Sequence, residues 1–245
     1  MLNDKKAYDS EIFRKICMKY GLGKLECAPV PLKGGFLHRM YSLFTDKGKY
    51  AVKLLNPFIM QRETAHENYR TAEKLEAMLE QSSVPVIPAL SFGGKKMQEL
   101  NGQFFYIYEW YDGKSLRSSE VTESHCAAIG GALAKIHALG KREDSQIRDE
   151  MRIDWNFYLG LLSDKNSELY GLVRKNTSLL YEMQEKGNAA VKILPPITAV
   201  CHNDMDCKNV LWSGHEFRII DLECLSLSNP FMELFETALY WSGIG

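Results

Sequence analysis

Three residues near the C-terminal end of this chain have the types and spacing to do chemistry together. Asp204 follows His202 by two places, Asn209 follows Asp204 by five, and Asp221 lies past a second apolar run. Between Asn209 and Asp221 the chain reads Val210-Leu211-Trp212, then Ser213-Gly214-His215-Glu216, then Phe217-Arg218-Ile219-Ile220. Two apolar runs about a polar Ser-Gly turn predict a β-hairpin. A hairpin that brings Asp204, Asn209 and Asp221 to one end of its strands gathers oxygen acceptors suited to Mg²⁺. It also leaves one carboxylate able to accept a proton. A polar loop can collect Asp and Asn merely as turn formers, but here spacing and flanking strands agree on the chemical reading. Cys207 lies inside the loop and reads as a spacer residue rather than a nucleophile.

The rest of the chain must position that loop. Ile12, Phe13, Ile16, Cys17 and Tyr20 recur at helical spacing, with Gly21 and Gly23 as stop signals. Strands are expected over 25–32, 40–44 and 50–55, the first two separated by Lys33-Gly34-Gly35-Phe36. A long helix is expected over 61–81, carrying Glu67, Glu73 and Glu76. Further strands are expected over 86–92, 97–100 and 103–108, and Asn101-Gly102 marks a tight hairpin between the last two. Beyond Tyr108-Glu109-Trp110-Tyr111 the pattern becomes helical, over 122–139, around 155–162 and over 168–185. Pro195-Pro196 ends that run, and Pro230 opens a last helical face with Phe231, Leu234, Phe235, Ala238 and Leu239. The fold class is α+β.

Composition narrows the function. At 245 residues the chain can bury a full core, and 45% hydrophobic with 25% charged residues is ordinary for a soluble protein. A net charge of −1 disfavours nucleic-acid binding, which needs a basic surface. The six cysteines include no Cys-x-x-Cys pair and read as reduced thiols of a cytoplasmic protein. No run of apolar residues is long enough for a membrane span, and the first residues lack the core of a signal peptide. Gly113-Lys114-Ser115 is not a phosphate-binding P-loop, because position 108 is Tyr where that motif needs Gly.

His202-x-Asp204, then Asn209, then Ile220-Asp221 resembles the catalytic centre of kinase-like phosphotransferases, specifically the aminoglycoside phosphotransferase and choline kinase branch. Tyr50-Ala51-Val52-Lys53 is similar to the Val-Ala-Ile-Lys strand of that fold, and Val84-Pro85-Val86-Ile87-Pro88 to its Val-Pro-Val-Pro stretch. Leu222-Glu223 stands where protein kinases carry Phe-Gly, and no Ala-Pro-Glu segment occurs, so the small-molecule branch is favoured.

The resemblance implies a bilobal protein-kinase-like fold, with a small antiparallel-sheet N-lobe over 1–109 and a mainly helical C-lobe over 110–245 that looks short at its C-terminus. It implies ATP, or alternatively GTP, with Mg²⁺ as cofactors. By the same resemblance Asp204 accepts a proton from the acceptor hydroxyl, and Asn209 and Asp221 hold metal. Lys53 steadies the α and β phosphates, and backbone at Gly34 and Gly35 passes over them, although the full Gly-x-Gly-x-x-Gly pattern is absent. A helix glutamate pairs with Lys53; counting back from 84–88 favours Glu73, while Glu76 lies nearer the centre of the apolar face. Glu109 and Tyr111 fall at the hinge that reads adenine, His202 braces the loop, and Glu223 is a candidate for metal or cation contact. His137 reads as a satisfied buried histidine, and Asp154, Trp155 and Tyr158 as candidate cleft residues. The expected partner is a cationic small molecule bearing a hydroxyl, aminoglycoside-like or choline/ethanolamine-like, with Glu233 and Glu236 as acidic contributors to its pocket. Glu233 itself stands where the family usually carries Asp. The competing expectation is a nucleotide-binding protein of the same fold without transferase activity.

Overall fold

Alternation along one strand decides which face of the sheet looks toward the loop. In strand β3 (Gly48–Leu54) the buried Val52 and Leu54 share one apolar cluster with Ile12, Phe13 and Ile16 of helix α1 (Leu2–Tyr20). Successive strand side chains point to opposite faces, so Lys53 points away from α1. The computed structural model describes residues 2–32, 37–143 and 150–243, with side chains from residue 11. Strands β1 (Val30–Leu32), β2 (Arg39–Thr45), β3, β4 (Gln98–Leu100) and β5 (Gln103–Glu109) form one antiparallel sheet in the order β1-β2-β3-β5-β4. Asn101 and Gly102 both take positive φ, 52° and 77°, as the two-residue turn joining β4 to β5 requires.

Helix α2 (Pro57–Met60) is one turn, and α3 (Ala65–Glu80) then lies on the face of the sheet opposite α1, where its Tyr69 packs with Tyr106. Its buried Ala72, Leu75 and Leu79 join a second core with Ile129, Leu133 and Ile136 of α4 (Glu123–His137). The same core includes Val200, Met205, Val210, Ile219 and Leu222, so the loop over 202–209 sits on buried apolar residues. A buried aliphatic side chain contributes about 1.5–3 kcal/mol by leaving water, which is what fixes the loop's foundation. Helices α5 (Trp155–Leu161) and α6 (Glu168–Ile193) follow. Strand β6 (Ala199–Cys201) pairs with β9 (Ser226–Ser228), β7 (Val210–Ser213) pairs with β8 (Glu216–Ile219), and α7 (Pro230–Tyr240) closes the order.

Some expected elements differ. Of the strand expected over 25–32 only Val30–Leu32 forms, because Leu25 makes a single bridge to Thr45 and the intervening residues find no ladder. The strand expected over 86–92 does not form: Val86 bridges Ile219, Ala89 bridges Tyr108, and Phe92 bridges Lys95. A segment that changes partners every few residues, and carries Pro88 without an N–H, cannot build a continuous ladder. Helix α6 runs to Ile193, past the expected 185, and stops two residues before Pro195. Gly34 and Gly35 lie outside the described residues. Among the described residues no helix is long and apolar enough to cross a membrane.

Candidate active site

The hairpin expected from the sequence is present, with Ser213 opposite Glu216 and Gly214 at φ 63° as the first residue of its two-residue loop. Its open end gathers the candidate site residues. Asn209 Nδ2 donates to Asp204 Oδ2 and to the Asp204 carbonyl, both at 2.8 Å, while the Asn209 carbonyl accepts from Ile220 N at 2.9 Å. His202, fully buried, accepts from Asp204 N at its Nδ1 (3.3 Å) and donates from Nε2 to the Ile220 carbonyl (2.9 Å). One amide and one imidazole therefore tie Asp204 to the residue before Asp221. That use of His202 is structural bracing, since both ring nitrogens are committed to backbone.

Two residues here hold left-handed backbone: Asn203 at φ 61° and Asp221 at φ 66°. Asn and Asp tolerate that region better than other side chains. Asn203 is pinned there, donating to the carbonyls of Cys201 and Cys224 at 3.1 and 2.8 Å and accepting from Ser228 Oγ at 2.8 Å. Its backbone N–H donates to Glu233 Oε1 at 2.6 Å, and Glu233 Oε2 lies 2.6 Å from His137 Nε2. Glu233 is 2% exposed, so it cannot line an acceptor pocket as expected; it is a clamp on the loop from beneath. His137 is the satisfied histidine that the sequence suggested. Glu233→Ala strips an acceptor from a buried N–H and is expected to lower unfolding free energy by about 1–3 kcal/mol, with Glu233→Gln recovering part of it. Urea unfolding of both variants measures this, and wild-type stability in Glu233→Ala would refute the clamp.

Lys53 meets the hairpin end from the sheet side. Its Nζ lies 2.5 Å from Asp221 Oδ1 and 2.5 Å from Glu223 Oε2, and the side chain is almost fully buried. Burial pushes the ammonium's pKa down, but the Asp221 and Glu223 carboxylates outweigh it and hold the group above its usual range. Glu223 behaves in the complementary way: burial raises its carboxyl, yet hydrogen bonding to His38 and the charge of Lys53 leave it below the ordinary value. The expected pairing of Glu73 with Lys53 is not formed. Glu73 Oε1 accepts from Met97 N at 2.7 Å and from Tyr106 Oη at 3.0 Å. Glu76, the alternative, accepts from Ala89 N at 2.5 Å and pairs with Lys96 at 2.9 Å, and Glu67 is exposed. The physical reason is local: the segment from Ala89 to Met97 presents backbone donors and a lysine to α3, and these take the helix carboxylates.

Lys208 adds a cation that the sequence left as a spacer. Its Nζ stands 3.3 Å from both Asp204 Oδ1 and Asp206 Oδ2. Cys207 is buried, and burial followed by the charge of Asp206 pushes its thiol up to about 11, which makes it a poor nucleophile. Glu109 ends β5 and is exposed; Tyr111 follows on the crossover to the helical half and lines a groove of about 320 Å³ with Ile87, Pro88 and Arg218. Asp154 caps α5 by accepting from Phe157 N and takes the Tyr181 hydroxyl at 2.9 Å, so its contacts are those of a helix cap. His38 and Tyr69, beside Glu223, carried no recognisable signal in the sequence; a lone histidine and a helix tyrosine do not announce their partners.

Residues 29–244 match the family model described as the phosphotransferase enzyme family, APH. The chain belongs to this family. Solved structures with the same protein-kinase-like arrangement surround this phosphotransferase. It is similar to a spectinomycin phosphotransferase crystallised with ADP and spectinomycin, at 16% identity and a TM-score of 0.66, over 96% of this chain and 79% of that one. It is similar to an amicoumacin kinase crystallised with AMP-PNP and Ca²⁺, at 14% identity and a TM-score of 0.66, over 100% and 74%. A choline/ethanolamine kinase family protein from Mesorhizobium loti gives 16% identity and a TM-score of 0.63, over 99% and 72%. At such identities the likeness is one of fold. No curated protein matches the sequence.

Proposed function

We propose that this phosphotransferase moves the γ-phosphoryl group of ATP to a hydroxyl of a small molecule. The observation that carries the reading is Asn209, which bonds the Asp204 carboxylate with its side chain and the backbone beside Asp221 with its carbonyl. It brings a proton acceptor and a cation-binding carboxylate to one hairpin end, against a buried lysine. Phosphoryl transfer needs this kind of positioning and charge neutralisation more than covalent help. Asp204 would take the proton of the acceptor hydroxyl, with Lys208 beside it to offset the charge. Lys53 would hold the α and β phosphates, its desolvated ammonium being worth more there than in water. The donor set fits a hard divalent ion: with the Asn209 N–H groups spent on Asp204, its amide oxygen is the atom left for a cation, and Asp221 adds a carboxylate. Bound there, Mg²⁺ would neutralise the phosphate oxygens. We assign the nucleotide to the sheet over 1–109 and the crossover that follows it, with Glu109 and Tyr111 at its adenine end, and the acceptor to the helical side beyond.

For the acceptor we favour a cationic alcohol, aminoglycoside-like or choline/ethanolamine-like. With Glu233 buried, Glu236 is the exposed carboxylate of α7 in this region. Its carboxyl is pushed up, first by partial desolvation and then by the charges of Glu233 and Asp204, which places it within electrostatic reach of the base. An enzyme with six free thiols that draws on ATP suits the cytoplasm.

The test has two stages. Thermal shift with ATP or GTP, with and without Mg²⁺, should show Mg²⁺-dependent stabilisation by ATP; a nucleotide at a hundred times its Kd stabilises by about 2.7 kcal/mol. Mass spectrometry of a panel of amino alcohols and aminoglycosides should then find a phosphorylated product. Stabilisation by nucleotide with no product from any acceptor would favour the binding-only alternative.

A further inference from the structure

We propose that Glu223, oriented by His38, is the anchor that aims the Lys53 ammonium, in place of a glutamate on helix α3. The inference rests on the reading of Lys53 as the phosphate-binding lysine. Both oxygens of Glu223 are engaged: Oε2 lies 2.5 Å from Lys53 Nζ, and Oε1 lies 3.2 Å from His38 Nε2. Each oxygen thus faces one nitrogen, and turning the carboxylate would separate it from Lys53 and His38 together. His38 is fixed in turn. Its Nδ1 accepts from Asn56 N at 2.9 Å, which sets the tautomer with hydrogen on Nε2, the atom facing Glu223. The Tyr69 hydroxyl lies 3.1 Å from the same Nε2, and His38 and Tyr69 are 6% and 7% exposed.

A buried chain of contacts thus runs from backbone at Asn56 through His38 and Glu223 to Lys53. Both ends of it lie on the sheet side, since Lys53 belongs to β3 and Asn56 follows that strand. The helix glutamates that could do the same work, Glu73 and Glu76, are bonded to Met97 N, Tyr106 Oη, Ala89 N and Lys96 instead. His38 touches neither phosphate nor acceptor in this scheme. It is a positioning residue, acting through Glu223 on Lys53.

The experiment measures the Kd of AMP-PNP with Mg²⁺ by calorimetry, alongside thermal midpoints, for wild type, His38→Phe, His38→Gln, Glu223→Gln, Glu73→Gln and the His38→Phe/Glu223→Gln double variant. His38→Phe is expected to weaken binding about 10-fold, the usual scale for a residue that orients a ligand-binding group. His38→Gln, whose amide can accept from Asn56 N and donate to Glu223, is expected to restore most of it. The double variant should lose little more than Glu223→Gln alone, because both act through one carboxylate. Binding by His38→Phe within about twofold of wild type, or full additivity in the double variant, would overturn the proposal. A loss in Glu73→Gln as large as in Glu223→Gln would overturn it too, by returning the anchor to the helix; this comparison decides the matter even where His38→Phe does not fold. Absence of nucleotide binding by the folded wild type would instead sink the reading of Lys53, and this inference with it.

Discussion

Asp204→Asn is expected to lower turnover by about 10² to 10⁴-fold, the usual contribution of a positioned general base. The substitution is conservative in shape. The amide oxygen it introduces can still accept from Asn209 Nδ2, whose bond to Asp204 Oδ2 is 2.8 Å in the native chain. The left-handed turn before it is held by the Asn203 side chain and by Glu233, not by Asp204. What the variant removes is the ability to take a proton and one negative charge facing Lys208. Nucleotide affinity should therefore stay near that of wild type while kcat collapses. The check is kcat on a confirmed acceptor together with the Kd for ATP and a thermal midpoint. Near-normal turnover would show that the proton leaves by another route, and Asp204 would lose its role.

Lys53→Met should strike binding and chemistry together, with kcat/KM for the nucleotide falling by about 10² to 10³-fold, as when one preorganised donor is taken from a transition state. Methionine is close to the lysine stem in length and bulk, so the loss is one of charge. The protein itself should also suffer. Asp221 and Glu223, which share the ammonium at 2.5 Å each, would be left as like charges with no cation between them. Glu223 has a side chain only 13% exposed, and leaving such a group without its partner costs about 1–3 kcal/mol. Asp221, at 31%, is better able to turn to water and adds less. Steady-state kinetics and chemical unfolding measure the two effects separately. A variant with wild-type kcat/KM would remove Lys53 from the nucleotide site.

The loop was legible in the sequence because its geometry is made locally. Asp204 is bonded by Asn209 and His202, and Ile220 by the same two, so residues within one short stretch determine one another's placement. The strand lysine was legible for a similar reason, since period-two alternation with Val52 and Leu54 fixes its face. The partner of that lysine was not. Helix α3 offers three glutamates, and helical spacing alone cannot say that the segment from Ala89 to Met97 would claim two of them. Nor could it say that Glu223, next but one to Asp221, would turn back to the sheet. The role of Glu233 was misjudged because acidity was read as a surface property. A carboxylate two per cent exposed is instead a backbone acceptor for Asn203. Such assignments depend on contacts across the whole chain, between residues 38 and 223 or 137 and 233.

The two ion pairs of Lys53 also have a mechanical side. Lys53 belongs to the five-stranded sheet, whereas Asp221 and Glu223 follow a hairpin whose Val210 and Ile219, with Leu222 between the two carboxylates, are packed into the core shared with α3 and α4. The hairpin is also stapled at two further places: Ile219 accepts from Ile87 N at 2.9 Å and donates to the Pro85 carbonyl at 2.7 Å, and Trp212 exchanges a reciprocal pair of bonds with Lys114 at 2.9 Å each. Lys53 is therefore a latch between sheet and hairpin. Tilting the sheet away at that end means drawing one ammonium off two carboxylates at once. A ligand that brings its own negative charge lightens the movement, because it offers the lysine a third partner before the first two are released.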